Sequence, residues 1–361
     1  MKIDFYISSL SGGGAEHVLT NIARNAAEQG HDVSITTFEK RPQFYEVDPK
    51  IEINRCNNTG SGRLREVLRD YRDMRRQLKK RKADVVISFL SRTNMMLALA
   101  APFTKSKIIV CDRNNRRMSQ SAFVFNLSCQ LYRMADMVGV QTNRAKASYP
   151  KYLTKKIFVI ANPLDRGQLD SQCTEDAPER TKTVISVGRL EQAKDFETLI
   201  SAFARTAQEY PDWKLNIYGQ GEKHDLLQDM ITQLGQQQRI KLCGVTKTVF
   251  SEMKRSGIFV LSSRYEGFPN VLCEAMYAGL PCISSDCEFG PSELLSDSEN
   301  GYLFPVGDID RLYECLTELM SDPSKRERMG ELAKKSTDFI ESSRIYKEWN
   351  ELILNTAEAS K

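Results

Sequence analysis

The sequence predicts an α/β protein built from two doubly wound domains. Three observations predict it. The chain opens as strand, glycine-rich loop, helix and strand. Short apolar runs of buried-strand type, among them 107–111 and 257–262, recur through both halves between stretches of helical length. With 361 residues the chain is long enough for two domains.

In the first half, residues 3–10 form the opening strand. The loop Ser11-Gly12-Gly13-Gly14-Ala15-Glu16-His17 follows. A helix over 18–29 stops at Gly30, and 32–38 is the next strand. A dinucleotide fingerprint would place glycines at 12, 14 and 17 and an acid after the second strand. Gly12, Gly14 and Glu39 fit, but His17 holds the third position, which argues against NAD. Residues 63–82 carry ten basic and three acidic side chains. Leu64, Val67, Leu68, Tyr71, Met74 and Leu78 make one apolar stripe at helical spacing. Two readings stand for this helix: a domain helix with a solvated charged face, or a docking element for anionic lipid. Strands follow at 84–90 and 107–111. The second leads into Asp112-Arg113-Asn114-Asn115-Arg116-Arg117, at the strand end where open α/β sheets bind ligands. Strands at 137–141 and 157–160, then Asn162-Pro163, close the domain at 1–163.

Residues 164–181 read as a polar linker. A strand at 183–187 ends in Gly188-Arg189, and Lys194 stands before the next helix. A planar guanidinium fork and an ammonium point charge at a strand mouth suit a diphosphate. Strands at 213–218 and 240–243 end in Gly219 and Gly244-Val245. The centre of the chain is Glu266-Gly267-Phe268-Pro269-Asn270-Val271, with Glu274 one helical turn on. It lies between a buried strand and a helix stopped by Gly279 and Pro281. Pro269 suits the first helical turn, and the amides of Phe268, Asn270 and Val271 would face whatever occupies the helix N-terminus. A strand at 281–284 and a helix from Asp308 follow. The second domain is expected over 164–340, and a helix in 341–361 is expected to return to the first domain.

The spacing of Glu266 and Glu274 closely resembles the E-x-seven-E motif of the retaining glycosyltransferases of family 4, which have the GT-B architecture. Gly13-Gly14-Ala15-Glu16, Gly188-Arg189 with Lys194, Asn162-Pro163 and the segments 290–295 and 300–308 resemble further elements of that family, in the same order. The resemblance implies two Rossmann-like domains facing a cleft and transfer of a hexose, galactose favoured, from a UDP-sugar. It gives Glu266 contact with the donor sugar and Glu274 the ribose hydroxyls. Arg189 and Lys194 would neutralise the leaving diphosphate. Gly14, Gly188, Gly219, Val245 and the 267–271 turn complete the donor site, and Gly13, Glu16, Arg113 and Asn114 stand on the acceptor side. Many members carry a His in the loop after residue 112; here Arg113 and Asn114 replace it. The family works without metal, and no Asp-x-Asp motif stands at a suitable position in this chain.

Charge adds a partner. Residues 1–163 carry net +14 and 164–361 net −10. A basic first domain suits an anionic membrane surface and a polyprenyl-diphosphate-linked saccharide acceptor, as in exopolysaccharide, O-antigen or lipid-linked glycan synthesis. Nucleic acid is disfavoured, since no set of aromatics interleaves with the basic run and no recognised binding module is present. No apolar run reaches the roughly 20 residues of a membrane span, and the N-terminus lacks a signal pattern, so a cytoplasmic, peripheral protein is expected. Nine scattered cysteines without Cys-x-x-Cys, and three histidines, suggest reduced thiols rather than a zinc site. Two other classes remain: a sugar-nucleotide epimerase of the same architecture, and a non-catalytic membrane scaffold.

Overall fold

The structure, a computed structural model, describes residues 1–11, 13–39, 41–44, 46–56, 63–113, 121–173 and 179–358. It divides into two compact units, Met1–Pro163 with Ser343–Lys361, and Leu164–Ser342.

The first unit is built on seven parallel strands: β1 (Lys2–Ile7), β2 (Asp32–Thr37), β3 (Glu52–Arg55), β4 (Val85–Phe89), β5 (Lys107–Cys111), β6 (Met137–Val140) and β7 (Ile157–Val159). Their order is β3-β2-β1-β4-β5-β6-β7. All five residues of β4 are buried, as a parallel sheet covered on both faces requires. Alternation sorts its side chains. Val85 and Ile87 join Ile3, Phe5 and Ile109 under the helix Gly14–Glu28, with Val18, Leu19 and Ile22. Val86 joins Val110 and Val138 on the opposite face, under Met74, Leu97 and Phe125. The C-terminal helix Ser342–Glu358 packs Ile345, Trp349 and Ile353 into the first of these cores. Trp349 meets Phe158 edge-on at 5.6 Å between ring centroids.

The second unit carries six parallel strands: β8 (Thr183–Val187), β9 (Lys214–Tyr218), β10 (Ile240–Gly244), β11 (Ile258–Leu261), β12 (Cys282–Ser285) and β13 (Tyr302–Phe304). The order β10-β9-β8-β11-β12-β13 is that of a dinucleotide-fold sheet. Both units are therefore Rossmann-like α/β sheets. Trp213, Phe203, Leu316 and Phe304 belong to the buried core of this unit.

Three sequence expectations change. The first helix begins at Gly14 rather than 18, because Glu16 folds back onto the Gly13 N–H (3.0 Å) and caps that turn. The segment 164–181 is not wholly irregular: Leu164 bridges Glu341, and a short helix, Arg166–Asp170, is capped by Asp165. The stripe on the helix Arg63–Arg81 is split. Met74 and Leu78 are buried, whereas Val67 and Leu68 are 37% and 55% exposed. Asp70 is also buried, and it pairs with Arg92 of the neighbouring helix Ser91–Ala100. No described helix is long and apolar enough to cross a membrane.

Candidate active site

The second unit gathers its polar groups at the carboxyl ends of β8, β9, β10 and β11. The turns after β8, β9 and β10 are stitched together by main-chain bonds. Gly188 N–H donates to Tyr218 O (2.9 Å), Gly219 N–H to Gly244 O (2.8 Å), and Leu190 N–H to Gln220 O (3.0 Å). Gly219 sits at φ +146°, and a Cβ there would fall 1.9 Å from Gly188 O. Only glycine lets the two turns touch backbone to backbone. Val245 follows Gly244 and is 61% exposed.

Lys194 closes a 3₁₀ turn, Gln192–Lys194, and its stem lies over Gly188. Its Nζ is 2.5 Å from Glu266 Oε1, and Ser263 Oγ donates to the same oxygen at 2.6 Å. The pair is largely enclosed, with side-chain exposures of 19% and 11%. Two residues given separate tasks by the sequence, 72 positions apart, thus form one ion pair. Asp195 braces it from below. It is buried and left-handed at φ +46°, and it accepts from Thr198 Oγ1 and Arg264 Nη2, each at 3.0 Å. Ser262 Oγ donates to Lys194 O (2.8 Å) and Arg264 N–H to Ala193 O (2.8 Å), which locks the β8 loop to the β11 loop. Arg189 is not drawn in. Its side chain is 76% exposed and pairs with Glu191 at 2.9 Å.

The helix Asn270–Tyr277 starts one residue later than expected, with Pro269 as its N-cap. The Asn270 amide is not open, because it donates to Phe268 O (3.0 Å). The amides of Phe268 and Val271 make no hydrogen bond among the described residues. Gly290, at φ +98°, backs this turn: a Cβ there would lie 2.4 Å from Pro269 Cδ. Glu274 projects from the helix with no ion-pair partner among the described residues. Burial pushes its carboxyl up to about 7, although part of the side chain still reaches solvent.

The residues expected on the acceptor side belong to the first unit. Gly13 and Glu16 form the cap of the first helix, where Glu16 is buried and also accepts from Ser9 Oγ (2.6 Å). Arg113 is sealed inside, 6% exposed, with its guanidinium 4.4 Å from the Phe89 ring centroid and 5.5 Å from that of Trp349. Its Nη1 donates to Asn162 Oδ1 (2.8 Å). Asp112 is fixed beside it by Asn94 Nδ2 and Tyr132 OH, each at 3.0 Å, and by Tyr149 OH. Arg113 therefore anchors the loop root and presents no guanidinium to a ligand at the surface. Gly14 opens the first helix, and Asn114 lies outside the described residues.

Sequence reasoning gave no individual site role to Ser263, Asp195, Arg264 or Gly290. A serine three residues before Glu266 is a visible hydrogen-bonding spacing; the others depend on contacts distant in sequence. Among the described residues, no group of three His, Cys, Asp or Glu side chains could hold a metal ion.

Comparison with known proteins finds relatives over both units. A model described as "Glycosyltransferase Family 4" matches residues 12–168, and one described as "Glycosyl transferases group 1" matches 172–336. A Campylobacter jejuni α-1,4-N-acetylgalactosaminyltransferase acting on a diNAcBac-PP-undecaprenol saccharide is 27% identical, covering 99% of this chain and 100% of its own. The amylovoran biosynthesis glycosyltransferase AmsD of Erwinia amylovora is 26% identical, covering 94% and 96%. Among solved structures, Anabaena HepE in complex with UDP superposes with a TM-score of 0.79 at 19% identity, covering 98% and 100%.

Proposed function

Since this chain belongs to the family 4 glycosyltransferases of GT-B fold, we propose that it moves a hexose from a UDP-sugar to a lipid-linked saccharide, with retention of anomeric configuration. The Lys194–Glu266 pair carries this reading. An ammonium that already neutralises an enclosed carboxylate can turn to a diphosphate when one arrives, while Ser263 keeps Glu266 aimed. Open amides at Phe268 and Val271 add dipoles for an anion. Glu274 accepts ribose hydroxyls. The C1–O bond to the β-phosphate breaks and the C1–O bond to the acceptor forms on the same face. The acceptor hydroxyl proton passes to the leaving phosphate oxygen. Exposed Arg189 swings in from Glu191 to share the diphosphate charge. The relatives named above act on undecaprenyl-linked saccharides or serve amylovoran synthesis, which supports a lipid-linked acceptor in bacterial polysaccharide assembly. The donor hexose we favour is galactose.

The decisive experiment is a panel of nucleotide sugars, scored by thermal stabilisation and hydrolysis with and without EDTA. One UDP-sugar is expected to stabilise and to be hydrolysed, equally in both conditions. Activity lost with chelator would overturn the metal-free reading. Conversion of the sugar without release of UDP would favour an epimerase.

The membrane-anchored acceptor calls for docking on the inner face of the cytoplasmic membrane, and the first domain is suited to it. The same unit also exposes Leu99, Phe103 and Phe123, the last two 58% and 75% exposed. Arg75 lies 4.3 Å over the Phe103 ring. Cations rimming exposed apolar groups match an anionic lipid surface. Binding to vesicles of anionic phospholipid is expected to fall with salt, as charges screen over about 8 Å at physiological ionic strength, and with Phe103→Asp. Equal binding to purely zwitterionic vesicles would refute it.

A further inference from the structure

Glu39 follows β2 at the carboxyl end of the first sheet, the position from which a Rossmann sheet grips a ribose diol. The dinucleotide fingerprint is incomplete here, so the position is free for another diol. Its backbone is fixed. Phe38 N–H and Glu39 N–H both donate to Ser8 O (3.0 and 2.8 Å), and Phe44 N–H donates to Leu10 O (2.8 Å). Phe38, Glu39 and Phe44 are thus tied to residues 8–10, which follow β1. A cavity of ≈ 490 Å³ lies there, lined by Leu10, Thr37, Glu39, Arg41, Gln43 and Arg55. Arg41 Nε holds Glu39 Oε2 at 2.8 Å, and Arg55 Nη2 donates to Gln43 Oε1 at 2.6 Å. The lining offers a carboxylate acceptor, an amide and two guanidinium donors, with Leu10 as an apolar wall. That set matches a sugar ring with adjacent hydroxyls.

We propose that this cavity is the acceptor saccharide subsite and that Glu39 grips a vicinal diol of that sugar. The two hydroxyls donate to the carboxylate, while Arg55 and Gln43 turn their donors to the remaining oxygens. This rests on the reading that the acceptor is a saccharide; it does not depend on the donor.

The test is saturation-transfer NMR on the full chain, with excess UDP present, using the methyl α-glycosides of galactose, glucose, N-acetylgalactosamine and N-acetylglucosamine as probes. At least one is expected to bind, with affinity falling about tenfold or more in Glu39→Gln and in Arg55→Ala, the scale of a lost charge-assisted hydrogen bond. Melting temperatures equal to the unsubstituted chain show that both variants are folded. No binding by any glycoside, or binding unchanged in both variants, overturns the subsite. The nucleotide-sugar panel fails or succeeds separately, so loss of the donor reading is distinguishable from loss of this one.

Discussion

Replacing Lys194 by alanine is expected to lower kcat/KM for sugar transfer by about 10²–10³-fold, the range for removing one preorganised group aimed at developing charge. The physical case lies in the enclosure of the pair. With side-chain exposures of 19% and 11%, Lys194 and Glu266 interact where water screens only partly. When the sugar–phosphate bond breaks, negative charge grows on the leaving diphosphate, and of Lys194 and Arg189 it is Lys194 that is enclosed. Arg189 cannot substitute fully, since it starts in solvent beside Glu191. A second effect runs in parallel. Without Lys194, the Glu266 carboxylate keeps only the Ser263 hydroxyl at this oxygen and is free to turn. Glu266→Gln separates the two effects, because it keeps the shape and removes the charge. Donor hydrolysis and transfer should fall together in Lys194→Ala, with some loss of melting temperature because Glu266 is left enclosed and unpaired. A kcat/KM within about threefold of the parent, less than 1 kcal/mol of transition-state stabilisation, would remove Lys194 from the chemistry.

The same pair shows what the sequence made legible. Both parallel sheets could be read, because their strands are apolar runs bounded by glycine and polar loops, and burial on two faces leaves few alternatives. The Gly188, Lys194 and Glu266 positions could be read as strand-end residues of chemically apt types. Their mutual contact could not, since it joins residues 72 apart through the turn geometry of Asp195 and Ser263. The burial of Arg113 was not legible for a related reason. Its place after β5 is right for ligand binding, yet Phe89 and Trp349, far away in sequence, form an aromatic box that takes the guanidinium inward. The helix 63–82 shows the limit of periodicity. A stripe at 3.6 spacing says which residues share a face, not how far along the helix the neighbouring layer extends. Met74 and Leu78 meet that layer, and Leu68 does not.

Glu274 gives the second large effect, and its sign follows from burial. The folded chain holds this carboxyl at about 7 against a usual value of 4.5, so the folded state binds the proton more tightly than the unfolded one. Stability is therefore greater at acid pH and declines as pH rises from about 4.5 to about 7, after which the group adds no further slope. Ligand binding runs the other way. A carboxylate that accepts two ribose hydroxyls must first lose its proton, so nucleoside affinity should rise about tenfold per pH unit below 7 and level off above it. Uridine is the right probe, because it lacks the phosphate whose own second ionisation near 6 would mask the effect. Titrated by calorimetry between pH 5 and 8, the parent chain should show this rise up to about pH 7 and a plateau above it. Glu274→Gln should bind more weakly than the parent at pH 8, by about tenfold or more for a lost charge-assisted contact, and should show no slope. If the slope persists in Glu274→Gln, another group titrates in the site and the ribose role passes to it. If uridine affinity is flat with pH and unaffected by Glu274→Gln, the carboxyl is a packing residue and takes no part in holding the ribose.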